Sequence, residues 1–358
     1  MRHLVLLSEC LDWVVKIRKY RSVDAARREL GPFWTGVRHG FQDAQVLSAV
    51  CGWRGYLQHG GRIVVYVVFS DAGDPLLAAP FRNHGGGVIS VLGTDERFDY
   101  VDMIVGETSP ETVGLAFSFL LATLREDDFT TIRWKFLDVC SLLADEMKRV
   151  GALLERTAEN VVVDLRTCKR SDYAKRRIRV GTNRIKADGV DCSLDVRRGR
   201  ATTHNQRMSQ RTCLRMYIKR MGMILPGGIS ALRRITLRYL HYMSQSGRWD
   251  NVLHFELRIS GEIAAFMDGI VSDGGRRFEM PRLAINPKYG RYTPGYLLMD
   301  RVIRWFEEND QFIEVLDLGR GKERYKFDFG GTIVLADDYV LELGGAKCCR
   351  LESLVADV

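Results

Sequence analysis

Residues 286–326 read NPKYGRYTPGYLLMDRVIRWFEENDQFIEVLDLGRGKERYK, and the parsing of this stretch decides the fold of the chain. A tight basic turn comes first, then a helix, a short apolar run and a second basic, Gly-rich turn. The spacing places Thr293 as N-cap and Pro294 at the first helical position, where its missing N–H is harmless. Gly295 lets a ligand approach the backbone without a side chain in the way. Free N–H groups and the positive end of the helix dipole then meet Lys288 and Arg291 at one spot, which suits a phosphate or pyrophosphate. A Thr-Pro-Gly helix start is also simply a good helix start, so its context has to decide.

Working outward, the second half of the chain contains a hairpin, Val252 to Ile259 and Glu262 to Val271, around the two-residue turn Ser260-Gly261. A strand over Arg277 to Ile285 follows, with a bulge or edge expected at Pro281. The helix from Thr293 and a strand over Phe312 to Leu318 complete the unit. The first half has the same order. Ile63 to Phe69 and Leu76 to Phe81 pair around the 71–75 turn, short strands follow at Val88 to Leu92 and Val101 to Val105, and Ser109-Pro110 opens a helix. Thr130 to Leu137 is a strand, Ser141 to Arg149 a helix and Asn160 to Leu165 a strand. The first sixty residues read as mainly helical, around Leu11 to Ile17 and Asp24 to Leu30.

Two similar α/β units in tandem are therefore expected, 1–165 and 166–358, each a mixed, mostly antiparallel sheet flanked by helices. Their two helix starts differ. Glu111 after Ser109-Pro110 complements the dipole itself and repels a phosphate, whereas Gly295 leaves that place empty.

At 358 residues the chain is long enough for two cores, and 46% hydrophobic with 27% charged residues is a globular composition. The longest apolar stretch, near Val113 to Leu124, is too short to span a bilayer. Glu9 and Asp12 interrupt the apolar start at Met1 to Leu7, so a cytoplasmic location is expected. Eight cysteines, including the adjacent Cys348 and Cys349, and seven histidines show no metal-ligand spacing; free thiols and no metal site are expected. The net charge of +8 is concentrated: residues 166–220 hold 17 basic and four acidic residues, +13, leaving the remainder at −5. This block reads as helix, over Ser171 to Ile178 and Asn205 to Arg220, with a further helix over Ile229 to Ser244 beyond Gly227-Gly228. Its charge is either a solvated face or the contact for a polyanion.

Tyr292-Thr293-Pro294-Gly295, then Leu297-Leu298, Asp317 to Gly321 and Tyr325-Lys326 resemble the YSPG…LL…DF.G…YK signature of the cellulose-biosynthesis-type acetyltransferases in the GNAT superfamily. Ser171-Asp172-Tyr173 with its basic run, Gly261 to Ala265, and Leu92-Gly93 with Asp99 to Asp102 are similar to further segments of that family, so the likeness runs from about Phe41 to Lys326. It implies a pair of GNAT-like folds related to the Fem-type aminoacyl transferases, with an acyl-CoA such as acetyl-CoA as donor and an amine as acceptor. Thr293 replaces the usual Ser and stands where ordinary GNAT enzymes have a glycine, which implies fewer pyrophosphate contacts.

A direct attack of an amine on a thioester requires a held donor, a polarised carbonyl, a base and exclusion of water. Backbone groups at Thr293 and Gly295, with Lys288, Arg291, Tyr292 and Pro294 around them, are assigned to the donor. Lys326 is the candidate for the oxyanion or an acidic acceptor, and Tyr325 for the leaving thiol; the alternative is a pair packed to cap the strand. Base candidates are Glu279, Asp317, His254 and Glu256. Strand alternation puts His254, Glu256 and Arg258 on one face, read as a solvent-facing or inter-domain polar face. Two other readings stay open: an aminoacyl-tRNA-dependent transferase whose +13 block holds tRNA, and a non-catalytic GNAT-like binding protein.

Overall fold

The computed structural model describes residues 15–34, 47, 60–95, 99–199, 201–224 and 252–344. Most of the first expected helix, the one over Ile229 to Ser244 with its Gly227-Gly228 break, and Cys10, Cys51, Cys348 and Cys349 lie outside them. The chain divides into two compact units, Met1–Ala158 with Leu335–Val358, and Glu159–Val334. The expected boundary at 165/166 thus falls seven residues earlier, and the last strand is grouped with the first unit.

In the first unit the sheet order is β1 (Lys16–Tyr20), β2 (Arg62–Phe69), β3 (Pro75–Gly85), β4 (Val88–Val91), β6 (Thr131–Asp138) and β13 (Thr332–Glu342), with β5 (Ile104–Val105) on β3. All pairings are antiparallel except β4 with β6. Residues 16–20 form a strand where a helix was expected up to Ile17, and α1 (Val23–Leu30) follows. Helix α2 (Pro110–Glu126) connects the parallel pair. Ser109 accepts a hydrogen bond from the Thr112 N–H at 3.3 Å, as its sequence position predicts, and Val113, Phe117, Leu120 and Leu124 are fully buried. Helix α3 (Leu142–Arg149) starts on a Ser141 cap, and β7 (Leu153–Asp164) carries the chain into the second unit.

The second unit repeats this plan. From the Asn160–Asp164 end of β7 the order runs through β12 (Val315–Arg320), β11 (Arg277–Ile285), β10 (Glu262–Ser272), β9 (Val252–Ile259) and β8 (Cys192–Arg198). Only β11 and β12 are parallel. Ser260 and Gly261 both have positive φ, 51° and 76°, the backbone of a two-residue hairpin turn. The bulge expected at Pro281 is present: Asp268 pairs with Arg282 and Ile270 with Glu279, so Gly269 alone faces Met280 and Pro281. A Cβ on Gly269 would lie 2.1 Å from the Glu279 carbonyl oxygen, so only glycine fits there.

Among the described residues, the helices α4 (Asp172–Ala187) and α5 (His204–Ile224) precede the hairpin, and α6 (Pro294–Asn309) and the short α7 (Arg324–Asp328) follow it. Helix α6 covers one face of the sheet. Its Leu298, Val302, Ile303 and Phe306 pack with Leu253, Phe255 and Leu257 of β9 in one core, and the Phe255 and Phe306 rings meet edge to face at 5.6 Å. Each such side chain contributes about 1.5–3 kcal/mol by leaving water, so this face anchors α6. The even-numbered residues of β9 point the other way, beneath α5, where Cys213 packs with Phe266 and Ala284. Among the described residues, no helix is long and apolar enough to cross a membrane.

Candidate functional site

The parallel pair β11–β12 holds register over only three residue pairs: Arg277 with Val315, Phe278 with Leu316, and Glu279 with Asp317. Beyond that point β11 continues along β10 to Ile285 while β12 continues to Arg320, so the two strands part and leave a gap between them. Such a gap can receive an extended, amide-bearing ligand as if it were a strand. The gap opens towards the turn before α6, reached from the end of β11, and towards the loop before α7, reached from the end of β12.

The last pair before the gap carries two buried carboxylates. Asp317 is 1% exposed; it accepts from the Gly319 N–H at 2.7 Å and contacts the Arg277 guanidinium, so it ties down its own loop. Glu279, 2% exposed, accepts from Ser272 Oγ at 3.3 Å and lies 3.7 Å from Arg277 Nε. The structure brings these two base candidates side by side.

On the β11 side, Asn286 caps a 3-10 turn over Pro287–Tyr292 by accepting from the Lys288 N–H, and α6 starts at Pro294 as expected. Thr293 departs from its expected role. Its backbone is left-handed, φ 54° and ψ 49°, uncommon for a β-branched residue. Its hydroxyl caps nothing in α6 and instead donates to the Arg177 carbonyl of α4 at 2.9 Å. The hydroxyl therefore docks α4 on the turn. The Thr293 N–H bonds Gly290, and the Tyr296 and Leu297 N–H groups both bond the Thr293 carbonyl. With Pro294 lacking an N–H, Gly295 supplies the donor at this helix start. A Cβ on Gly295 would meet nothing closer than Ile285 Cγ2 at 3.4 Å, so the space above it is open.

Lys288 and Arg291 flank the turn in exposed ion pairs, with Glu262 at 2.7 Å and Asp188 at 3.0 Å. Tyr289 and Tyr292 donate their hydroxyls to the same two carboxylates. Exposed pairs of this kind are screened by water and salt and contribute little, so either cation can be drawn to an incoming phosphate.

On the β12 side, Lys326 is 1% exposed, and its ammonium donates to the carbonyls of Gly319, Arg320 and Gly321 at 3.0, 2.7 and 3.0 Å, with Glu323 at 3.0 Å. All of its N–H groups are engaged in holding the loop. Tyr325 sits beside it; burial, then the Glu323 charge, pushes its phenol up to about 12, against the pull of Arg220. Arg220, which sequence reasoning did not single out, reaches from α5 to the Leu283 carbonyl of β11 and lies 3.9 Å from Glu323, thus bridging the gap. Nothing in its sequence context separates it from its basic neighbours.

The reading of His254, Glu256 and Arg258 as a solvent-facing or inter-domain face is corrected. His254 and Glu256 are 2% and 4% exposed and lie beneath α5, because that face of β9 is covered by the helix. His254 Nε2 meets Glu256 Oε1 at 2.8 Å; Glu256 Oε2 takes Ser209 Oγ at 3.0 Å and the Arg258 guanidinium, which also bonds Asp195 at 2.6 Å. Burial would raise the Glu256 pKa, but these partners outweigh it and bring it down to about 2. A cavity of about 470 Å³ between β8, β9 and α5 has His254, Glu256, Arg258, Arg197 and Ser209 in its wall, and a second of about 710 Å³ continues past Asp195 and Thr212 to Asn286. On the outer side of α5, Arg207, Arg211, Arg215 and Lys219 recur every fourth residue and are all exposed, a single cationic stripe.

Residues 174–327 match the model of the acetyltransferase (GNAT) domain, a span that contains the gap, the turn and Tyr325-Lys326. A search of curated sequences gives no match. Among solved structures, FemX is similar with a TM-score of 0.58 at 9% identity, covering 90% of this chain and 97% of that one. A conserved protein of unknown function from Bacteroides thetaiotaomicron is similar at 0.56 and 14% identity, covering 91% and 100%. L-PGS from Bacillus licheniformis is similar at 0.51 and 15% identity, covering 93% of both chains. At these identities the likeness is one of fold.

Proposed function

We propose that the second unit is an acyl-CoA-dependent N-acyltransferase of the cellulose-biosynthesis type, transferring acetyl or another acyl group to an amine. The observation that carries this reading is the three-residue parallel pairing of β11 and β12, whose parted ends lead to the Gly295 turn on one side and to Tyr325 on the other. In this reading the pantetheine lies along the gap, the pyrophosphate meets the Gly295 N–H with Lys288 and Arg291 released from their exposed partners, and the thioester reaches the Glu279–Asp317 end. The amine attacks the thioester carbonyl, Glu279 takes the amine proton, the C–S bond breaks and Tyr325, kept protonated by burial, protonates the departing thiolate. Asp317 and Lys326 are then positioning residues, fixing the β12 loop through the Gly319 N–H and three carbonyls. The first unit is read as a degenerate partner without a donor. Its helix start carries Glu111, whose carboxylate is drawn below the usual range by the Ser109 hydroxyl and its own backbone N–H.

Calorimetric titration with acetyl-CoA tests the donor assignment, and folded protein that shows no binding at millimolar concentration overturns it. Gly295→Glu reproduces the first unit's charge at a position where a Cβ meets only ordinary contact, and is expected to abolish binding; retained binding means the donor sits elsewhere. A second reading, an aminoacyl-tRNA donor, is favoured by the cationic stripe on α5. It predicts tRNA binding that weakens steeply with salt, with a slope reduced by about 1 for each stripe arginine removed.

A further inference from the structure

The spacing of cysteines and histidines along the chain points to no metal, yet the fold assembles a ligand set that spacing alone does not display. Cys213 comes from α5, and His254 and Glu256 from the same face of β9. Their ligand atoms, Sγ, Nε2 and a carboxylate oxygen, all lie within 4.8 Å of one another, and all three residues are buried. Cys213 Sγ is 3.9 Å from His254 Nε2, which in turn is 2.8 Å from Glu256 Oε1.

We propose that Cys213, His254 and Glu256 form a three-residue zinc site whose fourth position opens into the cavity between β8, β9 and α5. The proposal is independent of the acyltransferase reading. Thiolate, imidazole and carboxylate are the zinc-binding side chains, and three protein ligands with one open position is the pattern of reactive rather than purely structural zinc sites. Ligand atoms at about 2.0–2.3 Å from a tetrahedral zinc stand about 3.3–3.7 Å apart, so Cys213 Sγ and the Glu256 carboxylate, within 4.8 Å of each other, close by about an ångström to hold the ion.

The surroundings fit. Glu256 Oε2 is already fixed by Arg258 and Ser209, which leaves Oε1 turned towards His254 as the coordinating atom. A metal on Nε2 requires the imidazole proton on Nδ1. That nitrogen is buried and has no hydrogen-bond partner among the described residues, and Asp268, fully buried on β10, stands directly opposite His254 in register. No hydrogen bond joins Nδ1 to Asp268 as the two stand; a rotation that brings the carboxylate to the Nδ1 proton would fix the tautomer and raise the basicity of the ring. Charges of both signs bear on Cys213, Glu256 and Asp268 against Arg197 and Arg258, and burial holds the metal-free thiol well above its usual range. Zinc with a thiolate then adds a single net positive charge. The cavity wall supplies His254 and Glu256 themselves, so a water or a small polar ligand entering it meets the open position.

The test uses the full chain, freed of metal by chelator and titrated with zinc, with bound metal counted by mass spectrometry. One equivalent is expected. Cobalt in place of zinc should give a thiolate-to-metal charge-transfer band in the near ultraviolet, which identifies the sulfur ligand without any substitution. Cys213→Ser and His254→Ala should lose the ion, Asp268→Asn should weaken it about 10–100-fold, and Cys168→Ser, a half-buried thiol outside the cluster, should leave it unchanged. Failure to bind stoichiometric zinc, a cobalt complex without the thiolate band, or zinc retained in folded Cys213→Ser each overturns the proposal. In that case His254 and Glu256 are a buried polar pair only.

Discussion

Replacing Gly181 by alanine tests how the α6 turn is held. By helix propensity alone the change should stabilise α4 by about 1 kcal/mol, since glycine is that much poorer than alanine in a helix interior. The packing opposes it. A Cβ at residue 181 would lie 2.3 Å from the Tyr292 carbonyl oxygen and 2.7 Å from Thr293 Oγ1, and the first of these is backbone that cannot rotate away. Helix α4 or the turn must retreat by about an ångström, and overpacking of this kind costs about 1–3 kcal/mol. The retreat also breaks the Thr293–Arg177 hydrogen bond, about 1 kcal/mol more, and frees Thr293 to leave its left-handed backbone. The net expectation is a loss of about 1–3 kcal/mol, which thermal unfolding reads as about 2–4 °C per kcal/mol for a unit of this size. Acetyl-CoA affinity, measured by calorimetry, should fall more than stability does, because the displaced atoms bracket the Gly295 N–H. Gly290→Ala is the control: a Cβ there meets nothing within 4 Å, and its φ is not in the left-handed region. A Gly181→Ala protein with an unchanged or raised midpoint and unchanged affinity refutes the claim that α4 positions the turn.

Lys326→Met should cost about 3–5 kcal/mol in chemical denaturation, because three loop carbonyls and Glu323 lose a buried ammonium, and a milder loss means the loop is held by other contacts. Tyr325→Phe should flatten the alkaline limb of stability. The folded phenol is raised to about 12 from 10, so its contribution is complete below pH 10 and is lost as the pH rises towards about 12; unfolding midpoints of variant and parent across that window decide. Arg277→Met leaves Glu279 and Asp317 as adjacent buried carboxylates, and should destabilise the second unit by about 3–5 kcal/mol at neutral pH, with part of the loss recovered in acid as one carboxylate is protonated. Arg220→Ala removes the bridge across the strand gap, and should change acetyl-CoA affinity while Tyr289 and the α6 turn, viewed by NMR, stay in place.

The elements whose chemistry is local were legible in the sequence: the Ser260-Gly261 hairpin, the Ser109 cap, the Pro294 helix start and the bulge at Pro281. Strand β8 was not. It is an edge strand of half-buried residues with Arg197 and Arg198 inside a basic block, so neither apolar alternation nor turn residues mark it. The strand after α6 was expected from Phe312, but Phe312 is 80% exposed and pairing begins at Val315. The site shows the same division. Tyr292 to Gly295 and Tyr325-Lys326 were singled out as candidates by pattern, while the left-handed Thr293, the carbonyl partners of Lys326 and the approach of Cys213 to His254, 41 residues on, depend on tertiary packing. The polar face of β9 was given correct alternation but the wrong exposure, because nothing in the strand itself announces that α5 covers it.

The division of the chain bears on the order in which it is made. The second unit is one continuous segment, Glu159–Val334, whereas the first is completed only by residues after Leu335, which supply the strand that pairs with Thr131–Asp138. A ribosome delivers the whole of the second unit before the first has its last strand. During that interval Thr131–Asp138 is an open sheet edge that templates mispairing, and the first unit waits in an unfinished state. A chain that ends just short of Leu335, released from the ribosome, should therefore show a protease-resistant second unit beside a still cleavable first one, an assembly order opposite to the order of synthesis.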